Sequence, residues 1–336
     1  MKRWLPLALL AALLLWFGLR PPPSPGDELV SREFPAMGTW VSLSLYLEQP
    51  DRRAGAERAL AAIESAMHAF DRRWRPDGDG ALGKINRGPG DRFPEDMHAL
   101  RDRALHWYRL SGGLFDPRLG ALVSLWGFDR AEAFRDRPPE DTAIHRALEK
   151  LVAAPAERDG GGWNFGAIAK GWIVDRAMEQ LQAAGHEHAI INAGGNLRVA
   201  GRRGDRPWRI AVRHPRPDDA RRFLATIEVT GDAAIITSGD YERYFEHGGR
   251  RYHHLLDPRS GRPARGLQSL TVIGDSATDA DALSTALFVA GPSGWPALAE
   301  QLGAEAVIAV DSEGVVTATP TARKLARFPA HSTPQP

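Results

Sequence analysis

An aspartate and a threonine four positions apart, Asp281 and Thr285, lie within the segment 276–291, which reads SATDADALSTALFVAG. The apolar positions of this segment recur as on one face of a helix, where residues four apart lie one above the other. The two side chains would therefore present hard oxygen ligands for Mg²⁺ or Ca²⁺ near the positive end of the helix dipole. An octahedral Mg²⁺ needs roughly six ligands, so backbone carbonyl, water or substrate phosphate must supply the rest. The local alternative is that Asp279 caps the helix and Asp281 favours its dipole.

A lysine, Lys170, stands among glycines in the segment 163–177, which reads WNFGAIAKGWIVDRA. Gly166 and Gly171 allow the backbone to approach a ligand closely, and the ammonium group would then lie beside that ligand. The segment therefore indicates a site for an anionic group at the start of a helix. The alternative is an ordinary helix start with a solvated lysine.

Three further segments place polar or flexible residues at turns. Asp116 lies before a proline and could bind a ribose or a ring nitrogen, or else cap the following helix. The pair Gly194 and Gly195 could direct backbone N–H groups at a phosphate, or form a plain turn. His254 could carry a proton or bind phosphate, although a histidine beside an apolar strand is more often a structural residue. No G-x-S-x-G occurs, which argues against a serine hydrolase.

The composition narrows the classes of function. The chain has 336 residues, of which 43% are hydrophobic, enough for a substantial core. Lysine and arginine number 43 and aspartate and glutamate 42, so the net charge of +1 gives no general attraction to nucleic acid. The chain contains no cysteine, which excludes disulfides, thiolate metal ligands and a cysteine nucleophile. Any metal must therefore be held by oxygen or imidazole ligands.

The first 20 residues, MKRWLPLALLAALLLWFGLR, combine two cations with an apolar run and are typical of an export signal. The run is intermediate in length between a signal peptide and a membrane span, so residues 1–20 are either a cleaved signal or a retained N-terminal membrane anchor. We expect a proline-rich linker at 21–31, one domain at 32–328 and a flexible tail at 329–336. The folded part is expected outside the cytoplasm, on the periplasmic side.

The apolar patterns group strands and helices rather than alternating them strictly. Residues 38–47 alternate as a half-buried strand does, and residues 54–70 have helical spacing. A second amphipathic helix follows Lys170, with Gly185 at its C-terminal cap. Strand-like runs then occur at 188–193, 208–214 and 223–231. This order predicts an α+β fold in a single large mixed domain.

Seven ordered segments between Met37 and Leu287 make the chain similar to the ApbE family of FAD:protein FMN transferases. They are MGTWVSL, GGLFDPRLGALVSLWGF, NFGAIAKGWIVDRA, INAGGNLRVAG, TSGDYERYF, HHLLDPRSGRP and ATDADALSTAL. The resemblance implies the ApbE type of domain. It also implies FAD as substrate, Mg²⁺ as cofactor and an exported redox protein as flavin acceptor.

The resemblance also implies roles for particular residues. The backbone carbonyl of Ala167, together with Asp281 and Thr285, would hold magnesium against the FAD pyrophosphate. Asp281 and, secondarily, His254 would orient or deprotonate the attacking hydroxyl. The FAD contacts would fall on Met37, Trp74, Leu114, Phe115, Asp116, Asn164, Lys170 and the backbone at Leu255.

Two positions depart from the family pattern. Asn164 stands where members usually carry aspartate, which makes one anionic contact neutral. Gly80 stands where the family tends to have serine, and the aromatic residue before it, here Trp74, is displaced.

The implied reaction is transfer of FMN from FAD to a threonine or serine hydroxyl, with release of AMP. Hydrolysis of FAD to FMN and AMP at the same site is one alternative. A non-catalytic flavin-binding or flavin-delivery protein is another, which Asn164 would favour. Asp281 and Thr285 argue against a carrier, because a carrier needs no metal.

Overall fold

The structure is a computed structural model and describes residues 28–88, 92–129, 135–153, 162–216 and 223–335. Its helices are α1 Arg53–Trp74, α2 Ala81–Arg87, α3 Glu95–Leu110, α4 Gly120–Trp126, α5 Asp141–Ala153, α6 Ala169–Ala183, α7 Ala277–Gln301 and α8 Pro320–Leu325. Its strands are β1 Leu29–Ala36, β2 Thr39–Tyr46, β3 Ala189–Ala193, β4 Asn196–Ala200, β5 Trp208–Arg213, β6 Phe223–Val229, β7 Ala233–Gly239, β8 Tyr244–His247, β9 Arg250–His253, β10 Leu256–Asp257, β11 Arg262–Pro263, β12 Leu267–Gly274, β13 Ala306–Asp311, β14 Val316–Ala318 and β15 Ala326–Arg327.

An eight-stranded antiparallel sheet forms the centre of the fold. Its strand order is β1-β2-β3-β4-β7-β12-β13-β14, and every pair of adjacent strands in it is antiparallel. A three-stranded sheet, β15-β6-β5, and the hairpins β8-β9 and β10-β11 complete the strands. The helices are inserted between groups of strands, so the predicted α+β class is confirmed.

The central sheet is buried on both faces. Ile235 and Ile236 are neighbours in β7, but their side chains belong to different hydrophobic clusters because successive residues of a strand point to opposite faces. On one face the sheet packs against α1, α6 and α7. On the other face it packs against the three-stranded sheet, through residues such as Ile210 and Leu224. The site helices α6 and α7 therefore lie side by side on one face of the sheet, and they contact each other along their length.

The predicted elements agree with the structure. The strand at 38–47 is β2, the helix at 54–70 is α1, and the three later runs are β3, β5 and β6. The helix after Lys170 is α6, and Gly185 follows its end with a φ of 81°. The His186 amide donates to the carbonyl of Leu181 at 2.9 Å, as expected at a glycine-capped helix end.

The ordered domain extends past the expected bounds at both ends. Strand β1 begins at Leu29, before the expected start at residue 32, because its pairing with β2 continues to the Leu29–Tyr46 pair. The segment expected as a flexible tail contains Ser332, which is 1% exposed. The amide of Gln335 also donates to the carbonyl of Val316 at 2.9 Å. No described helix is long and apolar enough to cross a membrane, and residues 1–20 lie outside the described part of the chain.

Candidate active site

Helices α6 and α7 meet closely at Gly171 and Asp281. The Gly171 amide donates a hydrogen bond to Asp281 Oδ2 at 2.9 Å. A Cβ atom at position 171 would lie 2.1 Å from the carbonyl oxygen of Ala277, which no real contact allows, so only glycine permits this approach. The glycine that the sequence placed next to Lys170 therefore brings two backbones together.

This contact leaves the carbonyl of Ala167 available. In a continuous α-helix the amide of Gly171 would donate to the carbonyl four residues earlier, at Ala167. That amide instead bonds Asp281, and no hydrogen bond to the Ala167 oxygen is found within the described ranges. The Ala167 oxygen is therefore a free ligand at the start of α6, in agreement with the role that the resemblance implies.

The Asp281 carboxylate is buried beside one cation and one amide side chain. Asp281 is 5% exposed, and burial raises the pKa of its carboxyl above the usual 3.8. Lys170, the Gly171 amide and Asn196 oppose this rise in pKa. Asn196 is 1% exposed, and neither of its amide atoms has a partner with good hydrogen-bonding geometry in the described structure. A buried carboxylate with so few partners is suited to bind a cation.

Hydroxyl groups surround the second predicted ligand. Thr285 is 9% exposed, and its hydroxyl lies 3.5 Å from that of Ser238 in β7, at the limit for a hydrogen bond. Ser238 is 2.9 Å from the hydroxyl of Ser284, which in turn donates to the backbone carbonyl of Asp281 at 3.0 Å. The Thr285 oxygen is thus weakly engaged by the protein.

The donors in this region fit a hard divalent cation. Ala167, Asp281 and Thr285 would offer a carbonyl, a carboxylate and a hydroxyl, the kinds of oxygen that Mg²⁺ and Ca²⁺ bind. In the described part of the chain, no three His, Asp or Glu side chains group as a metal site would require. The predicted site contains one such side chain, so a cation there would depend on backbone and hydroxyl oxygens and on further ligands from water or substrate.

The start of α7 is held by a side chain from α6. Asp175 accepts hydrogen bonds from the amides of Ala277 and Thr278, at 3.0 and 2.8 Å, and from the hydroxyls of Ser276 and Thr278. Asp175 therefore fixes the first turn of the helix that carries Asp281. The sequence analysis missed it, although an acidic residue in the segment 163–177 was a usable signal.

The expected cap at Asp279 is wrong. The N-cap is Ser276, whose hydroxyl accepts from the Asp279 amide. The Asp279 carboxylate instead accepts from Arg103 and, at 2.8 Å, from Trp107 Nε1. Burial alone would raise the pKa of Asp279, but the hydrogen bonds from Arg103 and Trp107 outweigh it and lower the pKa below 3.8.

His254 is a neutral imidazole next to the same lysine. Burial, and then the positive charges of Arg243 and Lys170 among others, hold the pKa of His254 well below 6.5. Its Nδ1 lies 3.3 Å from the carbonyl of Arg243, which can only accept, so Nδ1 carries the proton and Nε2 keeps a free lone pair. Because Lys170 influences the pKa of both Asp281 and His254, the structure brings these three predicted residues into one neighbourhood.

Met37 has a strained backbone conformation, and the side chain of Asn164 is hydrogen-bonded to the backbone. Met37 has a φ of 54°, rare for a residue other than glycine, in the two-residue turn between β1 and β2. Its amide donates to Asp71 Oδ2 at 3.1 Å. The Asn164 side-chain oxygen accepts from the Gly166 amide at 2.9 Å. Strain of this kind clusters at ligand sites, which is consistent with the proposed contact at Met37.

The Asp116 carboxylate is occupied within the protein. Its two oxygens accept from the Arg118 guanidinium at 2.9 and 2.7 Å, and its side chain is 3% exposed. The expected helix cap is also wrong, because Leu119 precedes α4 and no side chain caps that helix. Phe115 is 2% exposed and Leu114 is partly buried against the core. Contacts of Phe115 and Asp116 with a ligand would therefore use their backbone.

Trp74 lies within a cluster of aromatic rings. It is 8% exposed and packs against Phe70 and Phe165, with ring centroids 5.6 and 5.0 Å away. Little of its ring is left to contact a flavin, which argues against Trp74 as an FAD contact. The Leu255 carbonyl accepts from the Ala264 amide at 2.8 Å, which leaves other backbone atoms of that segment for a ligand.

The glycine pair after β3 forms a turn. Gly194 and Gly195 have φ values of 60° and 91° and connect β3 to β4. The Gly195 amide donates to the side-chain oxygen of Asn192 at 3.0 Å, so it is used within the fold rather than directed at a phosphate. The turn also places Asn196, a residue that the sequence patterns did not single out, beside Asp281.

Known proteins are similar to this chain over most of its length. The model of the ApbE family matches residues 37–308. A FAD:protein FMN transferase of Vibrio cholerae is 33% identical over 89% of this chain and 91% of its own length. One of Rhodobacter capsulatus is 35% identical over 94% of this chain, but the chain spans 62% of that relative's length.

Solved structures share the fold. The ApbE protein of Thermotoga maritima superimposes with a TM-score of 0.78 at 31% identity, covering 89% of this chain and 100% of that one. The flavin transferase ApbE of Vibrio cholerae gives 0.74 at 28% identity, covering 89% and 99%.

The matching family model, the named relatives and the shared fold identify the chain as a transferase that acts on flavin. The chain belongs to the ApbE family.

Proposed function

We propose that this protein transfers FMN from FAD to a threonine or serine hydroxyl of an exported target protein, with Mg²⁺ as cofactor and AMP as the leaving product. Membership of the ApbE family supports the transferase reaction. The observation that carries the proposal is the junction of α6 and α7, where the Gly171 amide bonds Asp281 and leaves the Ala167 carbonyl free beside Lys170.

The reaction exchanges the phosphoanhydride bond of the FAD pyrophosphate for a phosphoester bond to the acceptor. The acceptor hydroxyl oxygen bonds to the phosphorus on the FMN side of FAD, and the bond from that phosphorus to the bridging oxygen breaks. AMP leaves with the bridging oxygen, and a base takes the hydroxyl proton. The protein has little covalent work to do in such a transfer, so positioning and charge stabilisation dominate.

The cationic part of the site would bind the pyrophosphate. Lys170 would place its ammonium group beside the phosphates at the start of α6. Ala167, Asp281 and Thr285 would hold Mg²⁺, which when bound neutralises negative charge on the pyrophosphate and on the departing AMP. The buried carboxylate of Asp281 supports this assignment, because its charge requires a cation nearby.

The acceptor hydroxyl needs a base, and we propose two residues for the role. Asp281 would use a carboxylate oxygen that Mg²⁺ leaves free to accept the proton. His254 is unprotonated with a free Nε2, but its lowered pKa makes it a weaker base. We therefore assign the role of base first to Asp281 and second to His254.

The remaining contacts would orient the flavin and the nucleotide. We propose side-chain contacts from Met37, Leu114 and Asn164, and backbone contacts from the segment 115–116 and from Leu255. The location on the periplasmic side, either free or anchored, rests on the export-type pattern of residues 1–20.

The test is to incubate the full chain with FAD, Mg²⁺ and a candidate exported flavoprotein, and then to weigh the acceptor and quantify AMP. Transferase activity gives one FMN on the acceptor for each AMP, and an acceptor with valine in place of its threonine gains none. AMP without a heavier acceptor would show hydrolysis. Bound FAD with no AMP would show a carrier. The Asp281→Ala enzyme is the matched inactive control.

A further inference from the structure

A cavity lies away from the candidate active site. Its volume is about 230 Å³, and its walls are the β8-β9 hairpin, the loop leading into β12 and the start of α5. None of the predicted FAD or metal residues lines it. His253 lines it, whereas the neighbouring His254 lies by Lys170, so this short segment separates the two sites.

The walls of this cavity are strongly cationic. Five arginines and two aspartates line it, an excess of three positive charges in a chain whose net charge is +1. The arginines are Arg216, Arg250, Arg251, Arg262 and Arg265, and the aspartates are Asp141 and Asp240. Such a local concentration of guanidinium groups in a concave site attracts anions.

Part of this charge is not neutralised by the protein. Arg216 donates to Asp240 at 2.7 Å and Arg262 to Asp141 at 2.6 Å. Arg250 and Arg265 make no ion pair with any carboxylate of the described residues. The Arg250 guanidinium lies 5.3 Å from the centre of the Tyr252 ring, which holds it at the cavity without cancelling its charge.

Two buried hydrogen-bond acceptors on the same walls lack partners. His253 donates from Nε2 to the Ala264 carbonyl at 2.9 Å, so its Nδ1 is an acceptor, and no partner for it is found in the described structure. Gln268 donates to the Ser312 carbonyl at 3.0 Å, and its side-chain oxygen is likewise unpartnered there. Both side chains are more than nine-tenths buried, at 5% and 8% exposure. Both atoms are themselves inaccessible from the cavity, so they mark a polar wall and not contacts for a ligand.

We propose that this cavity binds a small anion with carboxylate or phosphate groups. The unpaired arginines would bind the anionic groups. The volume lies below the roughly 300 to 1,000 Å³ of sites for drug-sized ligands, so the ligand is smaller than a dinucleotide. The anion is either a free small molecule or an acidic side chain of a partner protein.

Calorimetric titration of the full chain at low salt, without FAD or Mg²⁺, tests the proposal with two probes. Citrate carries carboxylates and a hydroxyl, and an N-acetylated, C-amidated di-aspartate peptide carries carboxylates and backbone N–H groups. Binding of citrate alone would identify a free anion as the ligand type, and tighter binding of the peptide would identify an acidic protein segment. Backbone amide resonances of residues 250–253 and 264–268 should shift on binding. Shifts elsewhere, or no binding of either probe, would overturn the proposal.

Variants localise the interaction. The double variant Arg250→Ala, Arg265→Ala removes two exposed, unpaired cations and should weaken binding about tenfold or more. Arg58→Ala removes an exposed charge on α1 and should leave the affinity unchanged. The affinity of the double variant for FAD should equal that of the parent, which shows that the fold is intact. Equal anion affinity in the double variant and the parent would contradict the assignment.

Discussion

The Gly171 amide donates its hydrogen bond to Asp281 Oδ2 over 2.9 Å and thereby joins two segments 110 residues apart. One contact explains why Lys170 is followed by glycine, why the Ala167 carbonyl is free and why a carboxylate is buried at this point. A side chain at position 171 would separate the helices, because its Cβ would meet the Ala277 carbonyl at 2.1 Å.

Replacing Asp281 by asparagine should stabilise the metal-free protein and abolish Mg²⁺-dependent turnover. Because folding raises the pKa of the Asp281 carboxyl, its contribution to stability is greatest at a pH below the pKa that it has in the unfolded chain. That contribution is lost as the pH rises through the pKa that it has in the folded protein. The ionised carboxylate therefore lowers the stability of the metal-free protein at pH 7. An asparagine would still accept the hydrogen bond from the Gly171 amide, but without a charge. We expect about 1 kcal/mol more stability in urea unfolding without Mg²⁺.

Urea unfolding with Mg²⁺ and FAD present provides the second half of that experiment. The parent should gain stability from the ligands, and Asp281→Asn should gain much less. Asp205→Asn, at an exposed aspartate, is the control and should behave as the parent. Equal stabilisation of Asp281→Asn would remove Asp281 from the metal site.

Lys170→Ala should weaken FAD binding more at low salt than at high salt. The proposed role of Lys170 is a charge contact with phosphate in a partly open cleft, and salt screens such contacts. The measurement is FAD titration at several ionic strengths, with Lys324→Ala on α8 as the control, since Lys324 is exposed. A loss of the same size at every ionic strength would indicate packing rather than charge.

Asn164→Asp should strengthen FAD binding by about 1 kcal/mol, the gap between neutral and charged hydrogen bonds. The Asn164 oxygen accepts from the Gly166 amide, and aspartate preserves that bond. The Mg²⁺ requirement should not change. Calorimetry with both proteins decides the matter: equal or weaker binding by the aspartate variant would show that asparagine is the fitted residue here.

Asp175→Ala should lower the free energy of unfolding by about 1 to 3 kcal/mol, because two amides and two hydroxyls at the start of α7 lose their acceptor. It should also weaken Mg²⁺ binding, since Asp281 lies on the next turn. Glu179→Ala, on the exposed face of α6, is the control. An unchanged Mg²⁺ affinity would limit Asp175 to stability alone.

His253 and His254 should make the protein sensitive to acid. Burial lowers the pKa of His253 to about 4 and holds that of His254 well below 6.5. As the pH falls, these histidines therefore bind protons in the unfolded chain at a higher pH than in the folded protein. Stability should fall as the pH drops from about 6.5 towards 4. His253→Gln should flatten this fall in denaturant titrations between pH 7 and 4.5. An equally steep fall in the variant would assign the loss to other groups.

Local patterns in the sequence determined the strands, the helices and several site residues. Apolar spacing predicted β2, α1, α6 and α7, because the period of burial in each is set by its own backbone geometry. The same spacing placed Asp281 and Thr285 on one helical face, and glycines marked the close approach at Lys170. The ordered segments shared with the ApbE family supplied the reaction and the Ala167 carbonyl, which spacing alone does not indicate.

The tertiary structure decided which of these groups meet and which are already occupied. The Asp116 carboxylate is bound by Arg118, Trp74 packs within a cluster of aromatic rings, and Asn196 is brought beside Asp281. The cationic cavity gathers Arg216 and the arginines between Arg250 and Arg265 from strands and loops. Hydrogen-bond partners and desolvation depend on contacts between distant segments, so composition and periodicity do not determine them.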